Sequence, residues 1–90
     1  MKLEQLHYLA EAIKYQSISI AADNNFISQP SFSNAITKFE QELGVKLLRR
    51  SSKGVSPTEA GRVVLETAEK VFKLLEEMTQ EISTSAEKVS

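Results

Sequence analysis

Apolar residues recur every three or four positions along most of this chain, a spacing that is typical of helices with one buried side. The first such stripe lies within Leu3 to Tyr15 and consists of Leu6, Leu9, Ala10 and Ile13. Because nothing interrupts this stretch, it predicts a single helix. We expect its stripe to face the core of the domain rather than a partner.

A short second helix is predicted after Ser17, which acts as its N-cap, and ends at the Asn24-Asn25 pair. The small Ala21-Ala22 pair on its buried side allows another helix to cross closely, as a helix-turn-helix requires. Asparagine tolerates left-handed backbone, so the tight turn is expected at Asn24-Asn25. The following Phe26-Ile27 pair is expected to anchor this turn in the core.

The third predicted helix begins at the N-cap Ser28 and accommodates Pro30 in its first turn. Gly44 ends it, since glycine commonly follows the last helical turn. The buried stripe is expected to comprise Phe32, Ile36, Phe39 and Leu43. The opposite face carries hydrogen-bonding side chains of little bulk. They are Asn34, Thr37, Lys38 and Gln41, with Ser33 at the edge of this face.

A small hairpin is predicted next. Two short strands, Val45–Arg50 and Val55–Ser56, flank the turn residues Ser51–Gly54. Pro57 ends the second strand, and Thr58 caps the helix that follows. Three helices followed by a two-stranded hairpin predict a mainly α-helical fold, the winged helix-turn-helix.

The last predicted helix is long, from Glu59 to about Ile82 or beyond. Its apolar residues alternate spacings of four and three, which is the a/d seam of a coiled coil. This seam can complete the core of its own domain, pair with a second copy or link to another domain, and its regularity favours dimerisation. The weaker pattern at Ser83–Ser85 predicts a frayed tail. We therefore expect a winged domain at residues 1–58 and a dimerising linker helix at 59–90.

Charge is distributed unevenly along the chain, although the formal net charge is only −1. Residues 28–62 carry six basic and three acidic side chains, whereas residues 63–90 carry three basic and six acidic ones. A nucleic-acid backbone would therefore meet the middle of the chain. The 90 residues suffice for one domain, and a partner can complete its limited core.

The start of the third helix has the chemistry of a DNA reader. Gln29 can pair with adenine, while Ser33 and Asn34 can reach base edges or phosphates. Lys38, further along the helix, would meet a phosphate. Taken alone, these residues also fit an ordinary amphipathic helix with a solvated polar face, but the preceding helix and the following hairpin favour DNA binding.

The hairpin tip is the second candidate site. Arg49, Arg50 and Lys53 lie close together in the sequence, and Ser51-Ser52 adds further donors. A wing places such residues on the flanking DNA backbone or in the minor groove. Basic residues also protect exposed strand edges, which is the alternative for the hairpin alone.

Other chemistry has little support. The chain has no cysteine, and its single histidine, His7, cannot form a metal cluster alone and is expected to pack or lie at the surface. The sequence shows no Ser-His-acid set, glycine-rich phosphate loop or paired metal spacing, so we expect no enzyme, cofactor or metal. It also shows no apolar run of roughly 20 residues and no signal-peptide core. These features predict a cytoplasmic protein without membrane contact.

Several segments together closely resemble the DNA-binding domain of LysR-type transcriptional regulators. Their order and spacing fit without a gap from about Leu3 to the middle of the last helix, and the combined match is highly specific. The strongest segments are Ser17–Ala22, Ile27–Pro30, Phe39–Val45, Leu47–Arg50 and Val55–Gly61.

The resemblance implies DNA contacts on the third helix and the wing, and pairing of the last helix with that of a second subunit. It also implies that a C-terminal domain, which binds a small-molecule inducer in family members, is missing from this excised or truncated chain. The expected DNA contacts are Ser28, Gln29, Pro30, Ser33, Asn34, Thr37, Lys38, Arg50, Ser52 and Lys53. The expected dimer contacts are Val64, Ala68, Val71, Leu75, Met78 and Ile82.

Departures from the family pattern affect individual contacts. Asn34 stands where the family commonly has arginine, so a charge and a bidentate donor are lost. At Phe32 and Leu48, the chain has a different hydrophobic residue from the one that is usual in the family. Pro57 also departs from the family pattern and should stiffen the backbone where the chain leaves the wing. We expect a homodimer that binds duplex DNA sequence-specifically. The alternative is a helical dimerisation module that has lost specific DNA binding, and Asn34 and the near-neutral charge are consistent with it.

Overall fold

Hydroxyl side chains mark the starts of three helices, as the sequence predicts. In the computed structural model, which describes residues 1–89 and the side chains of residues 1–85, Ser17, Ser28 and Thr58 each accept the backbone N–H three residues further on, at 3.1, 3.2 and 3.0 Å. These caps satisfy donors that a first helical turn leaves free. The elements are α1 Leu3–Tyr15, α2 Ile18–Asn24, α3 Gln29–Leu43, β1 Leu48–Ser51, β2 Gly54–Pro57 and α4 Glu59–Val89.

This order of elements confirms the winged helix-turn-helix fold. The two strands pair antiparallel, with Leu48 opposite Pro57 and Ser51 opposite Gly54, so only two residues form the turn. The first strand is shorter than predicted. The backbone N–H groups of residues 44 and 45 both still donate to the carbonyl of Glu40, at 2.8 and 3.2 Å, and therefore hold the chain against the end of α3.

One hydrophobic core joins all these elements. Phe32, Ile36 and Phe39 from α3 are fully buried among α1, the Ala21-Ala22 pair of α2 and the wing. Leu43, which the sequence placed in the same stripe, is 38% exposed because the last turn of α3 extends past the core. The residues of α1 and the wing that complete the core are Leu6, Leu9, Ala12, Leu47, Leu48 and Val55.

The turn between α2 and α3 differs from its prediction. The left-handed residue is Phe26, with φ of 58°, whereas Asn25 has φ of −104°. The Asn25 amide instead donates to the carbonyl of Ala21 at 2.7 Å and closes the end of α2. Phe26 is 95% exposed, so its expected role as a core anchor is wrong, and half-buried Ile27 alone packs against the core.

A buried carboxylate joins α3 to the wing. Glu40 is 6% exposed, and its Oε2 accepts the backbone N–H groups of Leu47 and Leu48 at 2.7 and 3.3 Å. The Nζ of Lys46 lies 4.0 Å from the other carboxylate oxygen, but this amine is largely in solvent. Glu40 therefore fixes the start of β1 relative to the C-terminal half of α3.

The first half of α4 belongs to the core of the chain. Ala68 has no exposed surface, and Val64 and Phe72 are partly buried against the same cluster. The prediction that Ala68 contacts a second subunit is therefore wrong, because its own domain already covers it. Helical spacing alone cannot distinguish an intrachain neighbour from a second copy.

The seam residues that follow Ala68 become more exposed along α4. Val71 is half-buried, while Leu75, Met78 and Ile82 are exposed. The weak pattern at Ser83–Ser85 does not end the helix, which continues to Val89. Ser90, the last residue of the predicted frayed tail, lies outside the described residues.

Candidate nucleic-acid interface

The predicted reading residues of α3 occupy one face of that helix. Ser28, Gln29 and Pro30 are exposed at its start, and Ser33 and Thr37 are half-buried. The Thr37 hydroxyl donates to the carbonyl of Ser33 at 3.0 Å, so its hydrogen is used within its own helix, while its oxygen can still accept a hydrogen bond. The two remaining predicted residues of this face, Asn34 and Lys38, are exposed.

The amide of Gln29 is held by the neighbouring helix. Its Nε2 donates to Oγ of Ser19 in α2 at 3.0 Å, and both residues are exposed. A neutral amide then retains one free N–H and its oxygen. These are the two groups that recognise the major-groove edge of adenine, so the hydrogen bond with Ser19 leaves Gln29 able to read a base.

Arg50 connects the wing to α3. Its Nη1 donates to Oγ of Ser33. Arg50 pairs with Val55 in the hairpin, and the side chain of Val55 is buried in the core. This arrangement brings the predicted residues of the helix and the wing onto one continuous surface.

The wing tip lies in solvent. Ser52 and Lys53 form the exposed two-residue turn, and the Lys53 backbone N–H donates to Oγ of Ser51 at 3.2 Å. Directly after the turn, the Val55 backbone N–H donates to the carbonyl of Gln16 at 3.2 Å. The second strand is therefore fixed to the end of α1 immediately beside the turn, while the side chains of Ser52 and Lys53 remain exposed.

A groove between α3 and β1 adds Lys46, which was not predicted at the interface, beside Arg49, which was named with the hairpin. Exposed Lys46 and Arg49 line this groove together with Arg50 and Thr37. The one acidic residue among the described lining is Glu40, whose Oε2 is already occupied by backbone N–H groups. The groove is therefore positively charged, as a surface that contacts phosphates must be.

Two further residues contribute to the interface without having been predicted. Glu40 follows Ile36 by four positions, so helical spacing alone places it on the buried side of α3. Ser19 had no such signal, because its contact with Gln29 depends on how α2 and α3 cross.

The described residues provide no other site chemistry. Among the side chains of residues 1–85, no three histidine, cysteine or acidic groups lie together as a metal site, and no described helix has the length and hydropathy of a membrane span. The Nε2 of His7 lies 2.8 Å from Oδ1 of Asn25, and the His7 ring meets Phe72 edge-on at 6.1 Å between centroids. His7 therefore lies at the surface, with its ring packed edge-on against Phe72.

Comparison with known proteins agrees with this geometry. The family model described as bacterial regulatory helix-turn-helix protein, lysR family, matches residues 3–62. A hydrogen peroxide-inducible genes activator from Pectobacterium carotovorum subsp. carotovorum is 39% identical over 84 residues, which are 90% of this chain and 28% of that protein. A probable RuBisCO transcriptional regulator from Trieres chinensis is 40% identical over 75 residues, 83% of this chain and 24% of that protein. The chain thus spans about a quarter of the length of such relatives.

Solved structures extend the similarity to the whole fold. The DNA-binding domain of BenM, in complex with catB site 1 DNA, has a TM-score of 0.89 and 34% identity, and the match covers 96% of each chain. The DNA-binding domain of CbnR, also solved with DNA, has a TM-score of 0.85 and 30% identity over 96% of this chain and 99% of that one. On the strength of the family match, the sequence identity and the shared fold, the chain belongs to the LysR family of bacterial regulatory helix-turn-helix proteins.

Proposed function

We propose that this chain binds duplex DNA sequence-specifically as a homodimer and thereby regulates transcription. The observation that carries this proposal is the continuous surface that Arg50 makes with Ser33, with base-reading amides on the helix and cations on the wing. A helix of this width fits the major groove of B-DNA, and a hairpin beside it reaches the flanking backbone. Solved relatives of the same fold are complexes with DNA.

Contacts on this surface divide into those that read bases and those that position the protein. Gln29 and Asn34 present exposed amides, and an amide can pair with adenine through both its N–H and its oxygen. Lys38, Arg50 and Lys53 present exposed cations that suit phosphates. Ser28, Pro30, Ser33, Thr37 and Ser52 complete the proposed contact set.

Dimerisation is proposed through the a/d seam of α4, most of which lies beyond Ala68. Leu74, Leu75, Met78 and Ile82 are 64%, 38%, 50% and 61% exposed and lie within about two turns of helix. An isolated solvent-facing helix would not expose so many large apolar side chains on one side, whereas an a/d seam buries them against a partner helix. The proposed dimer contacts are Val64, Val71, Leu75, Met78 and Ile82, without Ala68.

We assign the two proposed functions, DNA binding and dimerisation, to different parts of the chain on the basis of these surfaces. Residues 1–58 supply the DNA contacts, and residues 59–90 supply the dimer helix, although the first half of α4 also packs in the core. Control by a small-molecule inducer, acting through a further domain, is proposed by analogy with the family. We further propose a cytoplasmic location, and the proposal includes no enzymatic activity.

Salt dependence of binding tests the electrostatic part of this proposal. The double variant Arg50→Gln/Lys53→Gln is compared with Lys70→Gln/Lys73→Gln, which removes two exposed cations from α4 instead. We expect the wing variant to reduce the magnitude of the slope of log K for DNA binding against log salt concentration by about one for each phosphate contact that is lost. The α4 variant should leave this slope unchanged. Equal slopes in all three proteins would mean that Arg50 and Lys53 contact no phosphate, and no measurable binding even at low salt would favour the dimerisation module.

A further inference from the structure

Ser19 lies in α2, outside the residues that the proposed function assigns to DNA. It is exposed, follows the N-cap Ser17 by two positions and precedes Gln29 by ten. Its Oγ accepts a hydrogen bond from Nε2 of Gln29 at 3.0 Å. Among the described residues, no other hydrogen bond connects a side chain of α2 to a side chain of α3. The contact therefore acts on one residue alone, Gln29, which is proposed to read a base.

We propose that Ser19 is a positioning residue that orients the Gln29 amide for adenine and thereby sets base preference at one position of the DNA site. This inference rests on the proposed function. A glutamine side chain has three rotatable bonds, and an exposed one samples many directions before it meets a base. The hydrogen bond to Ser19 restricts those directions while the amide is still free of DNA.

The geometry leaves the reading groups of Gln29 available. One N–H of the amide is given to Ser19, while the second N–H and the oxygen remain to serve adenine N7 and N6. The second N–H and the oxygen belong to the same planar amide group. A hydrogen bond that fixes the orientation of this plane therefore orients both contacts to adenine. Ser19 thus favours adenine over the other bases without touching a base itself.

Single variants of Ser19 give the first test. Base preference is measured by selecting bound sequences from random duplex DNA, at constant salt, for wild type, Ser19→Ala and Ser19→Thr. We expect Ser19→Ala to reduce the preference at the base pair read by Gln29 by about two- to tenfold, the range of one ordinary hydrogen bond. Affinity for random duplex should stay within about twofold, since no phosphate contact is removed. Ser19→Thr, which keeps the hydroxyl, should restore the preference.

A double-mutant cycle separates positioning from a structural role. In the Gln29→Ala background, Ser19→Ala should have no further effect on base preference, because the amide that it orients is gone. Ser83→Ala, at an exposed serine on α4, is the matched control, and the thermal midpoint of each variant shows whether it is folded.

The outcomes distinguish the inference from the proposed function. If wild type selects a motif and Gln29→Ala relaxes one position, but Ser19→Ala changes nothing, the positioning role is wrong while DNA binding stands. An equal effect of Ser19→Ala with and without Gln29 would also overturn it. If wild type retains no duplex at all, the proposed function itself fails.

Discussion

Removing the carboxylate of Glu40 should weaken the attachment of the wing to α3 and destabilise the fold. This side chain is 6% exposed and accepts two backbone N–H groups, at 2.7 Å from Leu47 and 3.3 Å from Leu48. A buried donor left without a partner costs ~1–3 kcal/mol. Because the second hydrogen bond is long, we expect Glu40→Ala to lower the free energy of unfolding by about 2–4 kcal/mol. Glu40→Gln keeps one acceptor oxygen and should lose about 1 kcal/mol, the difference between a charged and a neutral hydrogen bond.

Urea unfolding followed by circular dichroism measures this loss. Protein concentration is held constant, since dimerisation would shift the apparent stability. Glu77→Ala, at an exposed position of α4, is the control and should change stability by less than about 0.5 kcal/mol. If Glu40→Ala matched this control, or if Glu40→Gln were the more damaging of the two variants, the reasoning about the two N–H groups would be refuted.

Three further predictions follow from the backbone and from α4. Phe26→Asn should raise stability by about 1 kcal/mol in the same unfolding assay, because Phe26 is 95% exposed and adopts φ of 58°, which asparagine tolerates better. Gly61→Ala should lower stability by about 1–3 kcal/mol, since its new Cβ would overlap the Leu47 carbonyl oxygen, whereas helix propensity alone predicts a gain. Leu75→Glu/Met78→Glu should convert the dimer to monomer in sedimentation equilibrium, because it places charges in the proposed seam.

Each of these predictions has a result that contradicts it. A less stable Phe26→Asn protein would show that the exposed ring makes a stabilising contact. A more stable Gly61→Ala protein would mean that α4 and the residue 47 carbonyl are further apart than described. For the seam, Gln80→Glu on the polar side of α4 is the control, and a persistent dimer in the Leu75→Glu/Met78→Glu protein would exclude this surface.

Most of the fold could be predicted because it depends on local chemistry. Ser17, Ser28 and Thr58 cap helices whose apolar residues recur at helical spacing, and Gly44 ends α3 with φ of 72°. These signals each lie within a few residues of the feature that they specify. The same locality explains why the reading face of α3 could be named in advance.

The wrong or missing predictions concern side chains whose placement depends on tertiary packing and not on the local sequence pattern. Phe26 is apolar and was expected in the core, but Asn25 uses its amide to close α2, and the left-handed residue then directs its ring into solvent. The spacing of Ala68 fits an a/d seam equally well whether the helix packs against a partner or against α1. Only the packing of α4 on the core shows that Ala68 is covered within its own chain. The contact of Ser19 with Gln29 likewise depends on the crossing of two helices.

Selection from random-sequence duplex DNA tests the central claim most directly. The purified chain is incubated with the duplex pool at low salt, and the retained DNA is sequenced. We predict an enriched motif with two-fold symmetry, since a dimer presents two recognition helices to two half-sites. If a folded and dimeric chain retained no duplex even at low salt, DNA binding would be contradicted and the dimerisation module would take its place.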